Sequence, residues 1–188
     1  MRVISGSARG RRLLSPKDSS VRPTGDMMKQ AVFNILQQRV TDARVLDLFC
    51  GTGQLGVEAL SRGAAFCVFN DSAPASVELA KRNAAAARVD DRAKFIRSDA
   101  LEYIKKRARR EDGDVFDIIF IDPPYDSGLL DAALEKIIEF DILKEYGIIV
   151  CESRAGHIAP DAPPPYKMLR EYKYGGAKIT LYTKESDV

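Results

Sequence analysis

The chain has 188 residues, 45% of them hydrophobic, with a net charge of +2. That length and composition suit one globular domain with a sizeable core; they exclude a transmembrane protein, because the longest apolar runs are strand-length and broken by charges. The N-terminus has no apolar stretch of signal-peptide length, and three cysteines without a C-x-x-C pair exclude a disulfide framework and a cysteine metal site, so a reducing cytoplasm is the expected setting.

In chain order, residues 1–15 turn at Gly6 and Gly10 and read as a short basic hairpin, followed by a loop over 16–24. A helix over 25–39, capped by Thr24 or Asp26, has Ala31, Val32, Ile35 and Leu36 at helical spacing. Strands over 45–50, 65–70, 94–97, 115–121 and 147–151 then alternate with helices over 54–62, 75–87, 100–110 and 128–140. Such alternation implies crossover units and a parallel sheet, an α/β fold. The end differs: 155–165 is a Pro/Ala-rich loop, and strands over 167–174 and 177–183 meet at Gly175-Gly176, a hairpin signal. Residues 1–44 hold nine Arg or Lys and three Asp, a net +6, so the rest carries −4. A basic arm on a slightly acidic body points to a polyanionic partner. The arm (1–24) is expected as an extension that meets this partner, with the remainder (25–188) as the main domain.

Two segments carry chemistry. The first joins a strand to a helix: Asp47, Phe49, Gly51, Thr52 and Gly53, with Gly56 completing G-x-G-x-x-G. The glycines permit a tight turn and close ligand approach. In a dinucleotide site the helix start faces an anionic pyrophosphate, which Asp47 would repel. A cationic sulfonium would instead be favoured by that carboxylate, directly or through water. Asp71 lies 20 residues past Gly51, where an acid reaches ribose hydroxyls. Ser98, Asp99 and Ala100 follow the third strand; Asp99 can accept an adenine amino hydrogen, cap the next helix, or do both. The second segment is Asp122-Pro123-Pro124-Tyr125 at the end of an apolar strand. Two prolines fix φ and remove two donors, so a carboxylate and an aromatic ring flank a rigid turn. That suits a planar substrate bearing an amino group. The single histidine, His157, reads as a loop residue.

The first segment resembles motif I of S-adenosylmethionine-dependent methyltransferases, and the second resembles the (Asp/Asn)-Pro-Pro-(Tyr/Phe) motif of enzymes that methylate exocyclic amines of bases. Arg9-Gly10-Arg11-Arg12-Leu13, Val21-Arg22-Pro23-Thr24, Val32–Leu36, Leu55–Ala64 and Lys173-Tyr174-Gly175 extend the resemblance over nearly the whole chain to the RsmD-type small-subunit ribosomal RNA guanine-N2 methyltransferases. Gln30, Cys50 and Asp71 depart from residues usual there (Glu, Ala and Glu).

The resemblance implies a Rossmann-like class I methyltransferase fold, with a seven-stranded, mostly parallel sheet and an antiparallel C-terminal hairpin. It implies methyl transfer from S-adenosylmethionine, without a metal, to N2 of a guanine in 16S RNA, within an assembled or assembling subunit. Monomer is the default state. Asp122 and the Pro123 carbonyl would accept the N2 hydrogens and Tyr125 would stack on the base; the lost proton would go to Asp122 or to water. Arg9, Arg11, Arg12 and Arg22 would contact phosphates. The alternatives are a DNA adenine-N6 methyltransferase, an NAD-linked oxidoreductase, and an RNA-binding assembly factor without catalysis. Lys105–Arg110 reads as a solvated helix face, and Tyr166, Tyr172 and Tyr174 as stacking platforms or packing residues.

Overall fold

Short apolar segments with buried β-branched and aromatic side chains form the inner strands of the sheet. The computed structural model describes residues 1–15, 23–108, 115–125 and 127–185. Seven strands, β1 (Arg44–Asp47), β2 (Phe66–Asp71), β3 (Ala93–Arg97), β4 (Phe116–Ile121), β5 (Leu143–Arg154), β6 (Tyr166–Tyr174) and β7 (Ala177–Lys184), form one sheet in the order β3-β2-β1-β4-β5-β7-β6. The helices are α1 (Pro23–Leu36), α2 (Gln54–Ser61), α3 (Pro74–Ala87), α4 (Ala100–Ala108) and α5 (Leu129–Phe140). The chain divides into two compact units, Met1–Ser98 and Asp99–Val188.

In the N-terminal unit β1 pairs with β2, and β2 with β3, all parallel. Val45, Leu46, Val68 and Phe69 are fully buried, and Phe69 stacks on Phe95 at 4.9 Å between ring centres. Residues 1–15 belong to this unit. Arg2 and Arg12 form an antiparallel bridge, with Gly6 and Gly10 both at φ +83°, so the basic hairpin is present. Val3, Ala8 and Leu13 are in the core. In the C-terminal unit β4 and β5 are parallel, while β5–β7 and β6–β7 are antiparallel.

The element boundaries shift for identifiable reasons. The first helix starts at Pro23, a favoured first helical position, and ends at Leu36; Gln37–Val40 tightens to a 3-10 turn, with Gln37 at φ +46°. β1 stops at Asp47 because the following loop turns away, its Cys50 N–H donating to the Asn70 carbonyl at 2.9 Å. β5 runs three residues past the expected end, since pairing with β7 continues to Arg154↔Ala177 despite the charged Glu152 and Arg154. Arg22 and the Arg109-Arg110 end of the fourth predicted helix lie outside the described residues. In that helix Lys105 and Lys106 are exposed, but Arg107 is buried with its guanidinium 5.8 Å from the Phe116 ring centre, so this part of the run is not a solvated face. Tyr166 packs inward, its hydroxyl donating to Asp141 at 2.6 Å. Among the described residues no helix is long and apolar enough to cross a membrane.

Gly56 sets how closely α2 approaches the sheet. A Cβ there would lie 2.3 Å from Phe69 Cε1 and 2.8 Å from Cys67 Sγ. Gly56→Ala is therefore expected to destabilise the protein by about 1–3 kcal/mol through overpacking. Gly25→Ala, where a Cβ meets nothing within 4 Å, should gain up to about 1 kcal/mol, because glycine is unfavourable inside a helix. Urea denaturation of both variants measures the difference.

Candidate active site

The loop from β1 to α2 is shaped by two carboxylates at strand ends. Asp71 accepts the Gly51 N–H at 2.9 Å through Oδ2 and the Ala73 N–H at 2.9 Å through Oδ1, tying the glycine turn to the start of α3. Asp47 is buried and accepts the Gly56 N–H at 3.0 Å. Gly53, which precedes α2, has no side chain to cap the helix, so Asp47 does so from the strand. Burial first, and the Asp71 charge after it, push its carboxyl up to about 7, against the pull of the Gly56 bond. The amide that a pyrophosphate would use is thus already taken by a carboxylate, which disfavours a dinucleotide.

Gly51 and Gly53 are left-handed, at φ +50° and +75°. A Cβ on Gly51 would point into open space, whereas one on Gly53 would lie 2.9 Å from Ala80 Cβ. The turn thus has open space at Gly51 and close packing at Gly53 and Gly56. Phe49 and Thr52 are half-buried beside it. At the end of β2 the buried Asn70 donates to the carbonyls of Leu48 (3.1 Å) and Ser98 (3.2 Å), and its Oδ1 has no partner among the described residues. Burial raises the Cys50 and Cys67 thiols, so neither is a reactive nucleophile.

Sequence reasoning missed the residues that anchor the N-terminal segment. Glu58 of α2, fully buried, accepts the N–H groups of Ile4 (2.8 Å) and Ser5 (3.0 Å) and pairs with Arg62 (2.7 Å) and Lys29 (3.8 Å). Lys29 Nζ also donates to the Arg2 carbonyl at 2.6 Å. Asn83 of α3 bonds both backbone groups of Leu14 and donates to the Thr52 carbonyl at 2.8 Å, joining the basic segment to the glycine loop. A lone buried amide in the alanine-rich α3 was the only signal for it. Arg9, Arg11 and Arg12 are exposed on this segment.

In the C-terminal unit Asp99 caps α4, accepting the N–H groups of Leu101 (2.9 Å) and Glu102 (3.1 Å), and Ala100 is buried in the first turn. The Asp122–Tyr125 corner leaves β4 with Asp122 half-buried, Pro123 buried, and Pro124 and Tyr125 exposed. Pro123, Pro124 and Tyr125 line a cleft of about 190 Å³ with Leu130, Glu152 and Arg154. The Tyr125 hydroxyl donates to Glu152 at 3.1 Å, and the Arg154 guanidinium lies 5.4 Å from the centre of the Tyr125 ring. Burial raises the Glu152 carboxyl above the usual range. His157, expected to be an uninvolved loop residue, also lines this cleft, with Nε2 3.0 Å from Asp131 Oδ1.

The profile of a family described as Conserved hypothetical protein 95 matches residues 1–183. The chain belongs to this family. It is 39% identical over 184 residues to a Bacillus subtilis protein named "Putative rRNA methyltransferase YlbH", covering 98% of this chain and 99% of that one. It is 31% identical over 186 residues to the Ribosomal RNA small subunit methyltransferase D of Escherichia coli K12, covering 99% and 91%. The solved structure titled "Putative methyltransferase yhhF from Escherichia coli" aligns with a TM-score of 0.87 at 31% identity, over 100% of this chain and 99% of that one. The RsmD-type resemblance and the Rossmann-like class I fold both hold.

Because Asp47 is held above its ordinary pKa, the folded state binds its proton more tightly than the unfolded chain. Wild-type stability is therefore lost as pH rises from about 4 to about 7. Asp47→Asn keeps an acceptor for Gly56 and removes the charge. Relative to wild type it should gain up to roughly 4 kcal/mol at pH 8, an advantage that fades by pH 4. Urea denaturation at the two pH values checks this; an equal difference at both would refute the assignment.

Proposed function

We propose that this protein transfers a methyl group from S-adenosylmethionine to the exocyclic N2 of a guanine in small-subunit (16S) ribosomal RNA. The observation that carries the reading is the cleft lined by Pro123, Pro124 and Tyr125, directly after Asp122, in a chain whose relatives are named as ribosomal RNA methyltransferases.

The residues of the N-terminal unit fit such a donor. Gly51 leaves open space at the turn, Asp71 is half-buried and only partly used as an acceptor, and Asn70 Oδ1 is an unused buried acceptor. When bound, the donor supplies an electrophilic methyl carbon on a cationic sulfonium. Asp71 would hold its ribose hydroxyls, and the segment from Ser98 to Ala100 its adenine, with Asp99 also serving as a cap. Asp47 supports the turn through Gly56, and its carboxylate favours a cationic ligand over an anionic one.

The guanine N2 lone pair is delocalised into the ring, so the amine is a poor nucleophile. Asp122 and the Pro123 carbonyl accept its two hydrogens, orient the lone pair and stabilise the positive charge that develops on nitrogen. Pro123 and Pro124 hold these acceptors rigidly, which supports the positional part of the rate enhancement. Tyr125 stacks on the base, which must be unpaired or extruded to reach it. Arg9, Arg11, Arg12 and Arg22 contact phosphates and position the RNA.

A tritiated-donor assay on small subunits lacking the modification, and on duplex DNA, tests this. Wild type should label the RNA only, and Asp122→Ala should label it at least about 100-fold more slowly, with RNA affinity largely kept. Labelling of DNA alone, or unchanged turnover in the variant, contradicts the proposal. Replacing Arg9, Arg11 and Arg12 together by Ala should weaken RNA binding and lower the slope of log affinity against log salt by about 2, the sum expected of three single-strand phosphate contacts. An unchanged slope would remove these residues from the interface.

A further inference from the structure

We propose that Glu152 and Arg154 read the edge of the target base, the Glu152 carboxylate accepting guanine N1–H and the Arg154 guanidinium donating to O6. The inference rests on the guanine-N2 reading above and names the residues that make that site specific.

The parallel register pairs Ile121 with Cys151, so Asp122, the first residue past β4, follows the pair that precedes Glu152 of β5. Side chains two apart on a strand share a face. Glu152 and Arg154 therefore point the same way, while Ser153 between them is buried. Both line the cleft with Pro123, Pro124 and Tyr125. Glu152 and Arg154 present an acceptor and then a donor to the cleft, and Asp122 supplies the acceptor for N2 in the reading above. Along its pairing edge guanine offers the complement: N2–H, N1–H, then the O6 acceptor. Adenine offers C2–H, an N1 acceptor and an N6 donor, so its N1 would face a carboxylate and its amino group a guanidinium. Guanine is thus accepted and adenine refused by the same pair, through repulsion as well as attraction.

Glu152 already accepts the Tyr125 hydroxyl at 3.1 Å. A carboxylate offers about four lone-pair sites, so that bond leaves acceptor capacity for the base. Since Glu152 is half-buried, a base that leaves this carboxylate unmatched strands a desolvated group, which is where discrimination is strongest.

The test compares guanine with 2-aminopurine at the modified position in reconstituted small subunits. The analogue keeps the N2 amine but has an N1 acceptor and no O6. Wild type should prefer guanine by about 100-fold in kcat/KM. Glu152→Ala should lower the preference at least about fivefold, with the Arg154 contact to O6 retaining the rest. Tyr125→Phe, which removes only the hydroxyl held by Glu152, should keep it. Should Glu152→Ala fail to fold, Glu152→Gln carries the same test, because its amide can donate to the analogue's N1; the preference should fall at least about tenfold. A wild-type preference near one, an unchanged preference in the Glu152 variants, or equal collapse in Tyr125→Phe would overturn the proposal. Failure of the underlying reading is seen separately, as no N2-methylguanine formed by wild type on unsubstituted subunits.

Discussion

The glycine turn between β1 and α2 exists because two strand-end carboxylates hold it. Asp71 fixes Gly51 and the start of α3 together, and Asp47 supplies the cap that Gly53 cannot. The Asp47 arrangement is costly by itself. Asp47 is taken out of water for a single backbone bond, and its carboxyl is pushed up to about 7 as a result. In the proposed site the arriving positive charge of the donor would remove this penalty.

The same turn is joined to the basic N-terminal segment. Asn83 reaches Leu14 and Thr52, while Glu58 and Ser61 hold Ile4, Ser5 and Ala8. The arginines proposed to meet RNA therefore stand on a platform anchored by buried hydrogen bonds. Removing one partner of the Glu58–Lys29 pair would strand a buried charge, a costly change. This explains why the first fifteen residues are held to the N-terminal unit, with Val3, Ala8 and Leu13 in its core.

Much of the fold was legible because it depends on local pattern: apolar runs with turn signals between them, and helices at 3.6-residue spacing. Gly51, Gly53 and the interval to Asp71 were readable for the same reason. The partners of these residues were not. That Asp71 binds the Gly51 amide, and that Asp47 caps a helix starting seven residues on, depends on how the chain closes on itself in three dimensions. Glu58 and Asn83 bond across more than fifty residues, a separation that no window of sequence covers. Glu152 was overlooked because its charge marked the apparent end of a strand; pairing with β7 carries the strand past it and turns it to the cleft. His157 was set aside as a lone loop residue for a related reason, since its Asp131 partner lies at the start of α5.

The corner that follows β4 is where sequence and structure meet most closely, since the two prolines dictate its course and the cleft forms against it. The most direct measurement of its purpose is mass-spectrometric mapping of small-subunit ribosomal RNA from cells with and without this protein. The account predicts that one N2-methylguanosine disappears without it and returns when the protein is restored. An unchanged methylation map, or loss of a methyl group from a different atom or base, would contradict it.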